Sequence, residues 1–279
     1  MVGRNRTCTP RVSSGRSSVW SYDHKHGRGW TRTSDLLFVR QALSRLSYSP
    51  ERIVCVAYAR VLAVNVERRG GQFVLTSVEP ELRDAANALG FLRNGDAFIR
   101  TFPEDARWLD AAWRNFVRHA GEMLRQTASG VAPWDEALLS LLERVDGVDW
   151  WLAGSGALAV RGVEVSPRDL DVITDAAGAQ RLGELLVDAL VEPVFVSDGW
   201  VARWWGRAFL GARVEWVAEV ASSVDEPDPV DFGPLAAASL ERVRWHGHDL
   251  RVPPLELQLA VAERRGLEER VEAIKRSTA

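Results

Sequence analysis

The stretch that most restricts the fold lies between Trp150 and Asp175. An apolar run from Trp150 to Ala153 is cut by Gly154-Ser155-Gly156, small and aliphatic residues continue to Arg161, and Gly162 stops them. Asp169 to Thr174 then alternates acidic with aliphatic residues. The pattern predicts a short buried strand, a tight turn, a brief helix over Ala157 to Arg161 and a second strand. In an extended strand, residues i and i+2 share a face about 6.6 Å apart. Asp169 and Asp171 therefore aim two carboxylates at one side, while Leu170 and Val172 enter the core. A turn carrying Gly154 and Ser155 at a helix start offers backbone N–H groups and a small hydroxyl, which suit a phosphate. Paired carboxylates suit Mg²⁺, which takes one or two of them and completes its shell with water and substrate phosphates.

Around this stretch the hydrophobic periods predict an α/β (α+β) chain. Gln72 to Ser77 reads as a strand, Pro80 to Leu89 as a helix stopped at Gly90, and Ala97 to Phe102 as another strand. A long helix follows, opened by Pro103 and Asp105, with Trp108, Ala112, Phe116 and Leu124 on one face out to Gly130. This small N-terminal β-α-β-α unit, roughly Arg68 to Ala128, carries no chemical signature, and 53–130 is expected to be an accessory unit. From 131 to 279 the expectation is a mixed sheet flanked by helices. Trp134 to Val145 and Ala176 to Leu190 read as helices, and Val194 to Ser197 and Arg213 to Val220 as strands. A hairpin is expected at Arg242 to Val252 around His246-Gly247, and two C-terminal helices are separated by Gly266. Asp225 to Pro229 reads as a solvated loop. His119 is expected as a surface or partly buried residue of the long helix and not a ligand, and His246-Gly247-His248-Asp249 as a hairpin tip, not a zinc site. Trp200, Trp204, Trp205 and Trp216 read first as core, although Trp204-Trp205, expected in a loop, could stack a ring.

Composition excludes several classes. With 46% apolar and 26% charged residues the chain is neither collagen-like nor a coiled coil nor disordered throughout. Its net charge of -3 demands neither a nucleic acid nor an anionic membrane as partner. Residues 1–52, however, hold ten Lys/Arg against three Asp/Glu, which leaves 25 against 35, a net -10, for residues 53–279. Cys8 and Cys55 stand far apart and build no disulfide framework or cysteine-rich zinc site, in keeping with a reducing cytoplasm. The apolar run Ile53 to Val66 is broken by Arg60 and falls short of the roughly 20 residues a membrane helix needs, so no membrane span is expected. The basic, serine-rich N-terminus has transit-peptide composition but no apolar core for a secretory signal. Only Lys25 and Lys275 interrupt an otherwise all-Arg basic set, a bias that GC-rich bacterial codons produce. Trp30 to Thr33, Phe38 to Gln41 and Ala42 to Tyr48 can be back-translated so that their complements read, in order, as the T-arm, anticodon arm and D-arm of a tRNA gene. Residues 1–52 thus resemble the antisense translation of such a gene, with a true start expected near Val54 to Val66; the alternative is a disordered basic arm able to touch nucleic acid.

Trp151-Leu152-Ala153-Gly154-Ser155-Gly156-Ala157-Leu158-Ala159-Val160-Arg161-Gly162, followed by Arg168-Asp169-Leu170-Asp171-Val172-Ile173-Thr174-Asp175, resembles the Gly-Ser…Asp-x-Asp signature of the DNA polymerase β-like nucleotidyltransferase superfamily. Within it, the chain is similar to small bacterial nucleotidyltransferase-like proteins, including the AbiEii toxin group and the aminoglycoside and lincosamide nucleotidyltransferases. The resemblance runs from about Trp150 to Arg276, including Val252 to Glu256 before the last helices, and leaves out residues 1–130. It implies a polymerase β-like core and in-line displacement at the α-phosphorus of a nucleoside triphosphate such as ATP, assisted by two Mg²⁺ ions. The acceptor would be a hydroxyl on a small molecule, a protein side chain or a tRNA end. Asp169 and Asp171 would hold the ions, Ser155 with the Gly154 and Gly156 backbone would grip the phosphates, and Arg161 and Arg168 would add charge.

The third acid that the resemblance implies belongs on a neighbouring strand. In Arg213 to Val220, Glu215 and Glu219 share a face with Val217, opposite Val214, Trp216 and Ala218, and Glu215 is the choice. The family more often carries Asp there, a departure that bears on metal geometry and activity. The alternative is a catalytically inactive nucleotidyltransferase-like module that binds a nucleotide or, in a toxin–antitoxin pair, a partner protein.

Overall fold

The computed structural model describes residues 53–57, 64–199 and 201–278. The segment 1–52, with Cys8 and its likeness to an antisense tRNA gene, lies outside the described residues, as does Trp200.

The chain is a mixed α/β protein built on two five-stranded sheets. The first is wholly antiparallel: β1 (Ile53–Ala57), β2 (Asn65–Arg69), β3 (Gln72–Thr76), β4 (Leu92–Asn94) and β5 (Ala97–Thr101), in the order β1-β2-β3-β5-β4. It is larger than the β-α-β-α unit expected here, because β1, β2 and β4 escape a reading by hydrophobic period. β2 reads Asn-Val-Glu-Arg-Arg and buries only Val66, and β4 is three residues long. A 3-10 turn at Pro80–Leu82 leads into α1 (Arg83–Ala88), Pro80 supplying a pre-set φ where no N–H is needed. The long helix α2 (Leu109–Ser129) begins later than Pro103 and Asp105 suggested, since Trp108, just before it, adopts a left-handed φ of 66°. Its apolar face meets both sheets: Phe116 stacks on Phe73 and Phe91, His119 lies 4.9 Å from the Phe209 ring, and Asn115 Nδ2 donates to the Val187 carbonyl at 3.2 Å.

The second sheet contains β6 (Trp150–Ala153), β7 (Asp169–Thr174), β8 (Leu190–Val196), β9 (Ala202–Phe209) and β10 (Arg213–Val220), in the order β6-β7-β10-β9-β8. Only β7 and β10 run parallel. Around it lie α3 (Trp134–Arg144), α4 (Gly154–Ala159), α5 (Ala176–Leu185), the short α6 (Pro234–Ala237), the hairpin β11 (Glu241–Trp245) and β12 (His248–Val252), and the closing helices α7 (Leu255–Arg264) and α8 (Glu268–Ser277). Asp175 caps α5, its Oδ1 accepting from Gly178 N at 2.6 Å. The hairpin turns through His246 and Gly247, both at positive φ, and Trp245 packs against Trp134.

Four local expectations differ from the structure. α5 stops at Leu185 instead of Leu190, and Leu190 opens β8. The helix expected from Ala157 already begins at Gly154. Trp204 and Trp205 belong to β9, not to a loop; Trp205 and Trp216 are core, and Trp205 Nε1 donates to the Ala202 carbonyl. Asp225 is buried instead of solvated, because its carboxylate accepts from the N–H groups of Val230 and Leu235, each at 3.0 Å.

One buried hydrophobic cluster runs through both sheets, crossing between them at Phe102 and Phe195, whose rings lie 5.6 Å apart. A second cluster, Leu158, Val163, Ala262, Ala273 and Ile274, fastens α7 and α8 to α4. Among the described residues no helix is long and apolar enough to cross a membrane. Close packing of β9 on β10 depends on Gly206, where a Cβ would come 2.3 Å from the indole of the fully buried Trp216. Gly206→Ala is therefore expected to lower unfolding free energy by about 1–3 kcal/mol through overpacking, measured by denaturant titration.

Candidate functional site

The parallel pairing of β7 with β10 sets Arg213 beside Asp169 and Glu215 beside Asp171. Because paired positions on neighbouring strands point to the same face, both aspartates, Arg213 and Glu215 converge on one side of the sheet. The antiparallel pairing of β6 with β7 sets Ala153 opposite Asp171, so the chain leaves β6 at Gly154 directly beside that carboxylate. A Cβ at Gly154 would fall 2.4 Å from Asp171 Oδ2, and Gly154 has φ +61°; both facts demand glycine. Gln258 of α7 holds the turn from behind, its Nε2 donating to the Gly154 carbonyl at 3.0 Å. Ser155 is half-buried, and Gly156 packs against Leu152 and Leu170 beneath the turn.

The acids are not left bare. Arg213 donates from Nη2 to Asp169 Oδ2 at 2.6 Å and from Nη1 to Glu215 Oε1 at 2.9 Å. The same Glu215 oxygen lies 2.9 Å from Arg207 Nη2, and Arg207 Nη1 donates to Glu192 Oε1. Glu192 Oε2 in turn accepts from Arg100 Nη2. Asp169, Arg213, Glu215, Arg207, Glu192 and Arg100 thus form a chain of alternating sign, every member buried. The carbonyls of Leu89 and Gly90 accept from Arg207 and Arg100, which ties the first sheet to the same chain.

Asp171 stands apart: it is half-buried, and its side chain makes no hydrogen bond or ion pair with a described residue. Burial, and then the neighbouring carboxylates of Asp169, Glu215 and Asp231, hold its proton affinity well above the usual carboxylate range. Burial also raises Asp169, with Arg213 opposing. From α8, the half-buried Arg270 lies in the field of Asp231, Asp171 and Asp169, and burial lowers its pKa against them.

The other residues proposed from sequence lie elsewhere or are engaged. Glu219 has φ +53°, which takes it out of the regular strand, and it pairs with Arg203 at 3.4 Å. Arg161 is tied to Glu241 and donates to the Pro253 carbonyl at 2.8 Å, so it anchors the hairpin. Arg168 lays its guanidinium against Gly130 at the end of α2, near enough that its charge still lowers the Asp169 pKa. Sequence reasoning passed over Arg213, Arg207, Glu192, Asp231 and Arg270. Of these only Arg213 had a local signal, since Arg213-Val214-Glu215 puts a cation and an acid on one strand face; the others depend on long-range pairing.

The fit of Mg²⁺ follows from these contacts. Among the described residues no three His, Cys, Asp or Glu side chains form a ready-made metal centre. Asp171 and the oxygen of Asp169 not bonded to Arg213 match a single ion whose remaining ligands are water and substrate phosphates. A second ion on Glu215 would have to compete with two guanidinium groups that already converge on its Oε1.

No family model matches the chain, and no curated protein matches it. Among solved structures it is similar to a Thermotoga maritima protein assigned as a nucleotidyltransferase, with 24% identity and a TM-score of 0.38 over 50% of this chain and 88% of that one. It is also similar to the antibiotic-resistance factor ANT(2'')-Ia. The solution structure has 13% identity and a TM-score of 0.35 over 50% of this chain and 80% of that one. A crystal structure of ANT(2'')-Ia with adenylyl-2''-tobramycin has 15% identity and a TM-score of 0.32 over 52% and 87%.

The buried charge chain makes a prediction of its own. Glu192→Gln leaves Arg100 without an ionised partner and Arg207 with one fewer. Breaking a buried pair on one side is expected to cost about 3–5 kcal/mol, read as a lower denaturation midpoint.

Proposed function

We propose that the face formed by Gly154, Ser155, Asp169 and Asp171 binds a nucleoside triphosphate and transfers its nucleoside monophosphate to a hydroxyl acceptor. The observation that supports this most directly is the Asp171 carboxylate packed against Gly154, which makes the acids and the turn a single site. Backbone N–H groups of the turn and the Ser155 hydroxyl would donate to phosphate oxygens. Arg270, whose charge lies in the field of Asp231, Asp171 and Asp169, would offset the phosphate charge from the α8 side. Asp169 and Asp171 would hold a divalent ion, which when bound draws charge off the phosphate oxygens.

In the transfer, the acceptor oxygen forms its bond to the α-phosphorus as the bond from that phosphorus to the bridging oxygen breaks, and pyrophosphate leaves. The acceptor proton passes to solvent. Glu215, chosen from sequence as the third acid, is instead held by Arg207 and Arg213, so its task is to fix Arg213 beside Asp169. Ordered this way, the chain's own residues bind and orient the phosphates, and the reacting oxygen needs only to approach in line. The net charge of -10 over residues 53–279 argues against broad contact with RNA phosphates. A small-molecule or protein hydroxyl is therefore the favoured acceptor class over a tRNA end.

The grip of Arg213 on two acids favours one alternative, a module that binds nucleotide without transferring it. Incubation with each labelled nucleoside triphosphate, Mg²⁺ and a panel of hydroxyl acceptors separates the two. Pyrophosphate release with label transfer is expected, and Asp171→Asn should lower it at least about 100-fold, because removing a ligand of the charge-stabilising ion forfeits several kcal/mol. Nucleotide binding with no pyrophosphate release from any of the four triphosphates would leave the binding module as the answer.

A further inference from the structure

We infer that Arg213 is a resident cation standing in for a second divalent ion, so that the site takes one ion per bound nucleotide; this rests on the nucleotide-binding reading above. The guanidinium spans the two strands whose acids would hold such an ion, reaching Asp169 at 2.6 Å and Glu215 at 2.9 Å. Its planar fork offers each carboxylate its own N–H, and a guanidinium has only donors and no acceptor, so it cannot become a ligand itself. An ion at the same two carboxylates would have to share them with a fixed positive charge only a few ångström away.

Displacement is opposed by burial. Arg213 is 4% exposed and Glu215 7%, so swinging the guanidinium aside leaves a cation without its partners in a dry setting. Glu215 would not be released even then, because Arg207, 2% exposed, still holds Oε1 and is itself fixed by Glu192 and the Leu89 carbonyl. The balance of charge agrees: Asp169, Glu215 and Glu192 are matched by Arg213, Arg207 and Arg100 before any ion enters. Asp171 remains outside that account, so the opening for an ion lies on the Asp171 side of Asp169 and not between Asp169 and Glu215.

The test counts ions. Mn²⁺, read by the loss of its free electron-paramagnetic-resonance signal, is titrated into the full chain saturated with a non-hydrolysable nucleoside triphosphate analogue. The natural chain should bind one Mn²⁺ per protein–nucleotide complex, and Arg213→Lys, which keeps the charge, should also bind one. Arg213→Gln should bind a second Mn²⁺ or hold the first at least tenfold more tightly. Two ions per complex in the natural chain would overturn the inference, since Arg213 would then be yielding its carboxylates. Should Arg213→Gln fail to fold, the counts for the natural chain and Arg213→Lys decide. A separate titration with a fluorescent nucleotide distinguishes the failures: two ions with nucleotide bound removes this inference alone, and absence of nucleotide binding at any Mn²⁺ concentration removes the nucleotide reading with it.

Discussion

Six buried charges in alternating sign, from Arg100 through Glu192, Arg207, Glu215 and Arg213 to Asp169, set the terms for the rest of the molecule. Taking an ion out of water costs several kcal/mol even after relaxation, and the cost is recovered only where each charge meets an opposite one in good geometry. Apolar contact between two sheets tolerates small sliding, because burial energy is nearly proportional to area. A line of charge pairs does not. With Arg100 on β5, Glu192 on β8, Arg207 on β9 and Arg213 on β10, a one-residue slip in any strand would turn its charge to the other face and strand its neighbours. The chain therefore gives the two sheets one register relative to each other, while Phe102, Phe195 and the apolar face of α2 supply the area.

This arrangement also decides which acid is left open to a ligand. Asp169 and Glu215 are satisfied by Arg213, and only Asp171 is both close to the turn at Gly154 and without a hydrogen-bonding partner among the described residues. Its elevated proton affinity has the cause one expects of an acid removed from water and, after that, crowded by Asp169, Glu215 and Asp231. A cation or a ligand-borne proton relieves that crowding. The turn can approach this acid so tightly because Gly154 has no side chain, and a Cβ there would occupy the volume of the Asp171 carboxylate.

Much of this was legible in the sequence where the signal is local. The boundaries of β6, β7 and β10 and the hairpin of β11 with β12 follow from strand periodicity and turn residues, and the β7 alternation put Asp169 and Asp171 on one face. What escaped is of two kinds. β2 and β4 are too charged or too short to show a period, and the early end of α5 at Leu185 has no Gly or Pro to announce it. The partners of Glu192, Arg207 and Arg100, lie on strands 15 and 92 residues away, a distance at which no spacing rule operates. Reading Glu215 as a metal ligand was natural from its face; that two guanidiniums meet it depends on β9 and β10 being neighbours.

The first sheet, which has no chemical signature of its own, acquires a physical role through the same chain. Arg100 neutralises one oxygen of Glu192, and Glu192 directs Arg207, whose other amino group meets Glu215. Without Arg100, Glu192 would keep Arg207 as its remaining ion-pair partner, and its other buried oxygen would lose its charged donor. Carbonyls of Leu89 and Gly90, in the link between α1 and β4, brace both arginines from the side of the first sheet. The geometry of the acids therefore depends on residues that approach neither the turn nor Asp171, and a unit that looks like an accessory in the sequence is part of what holds the site in shape.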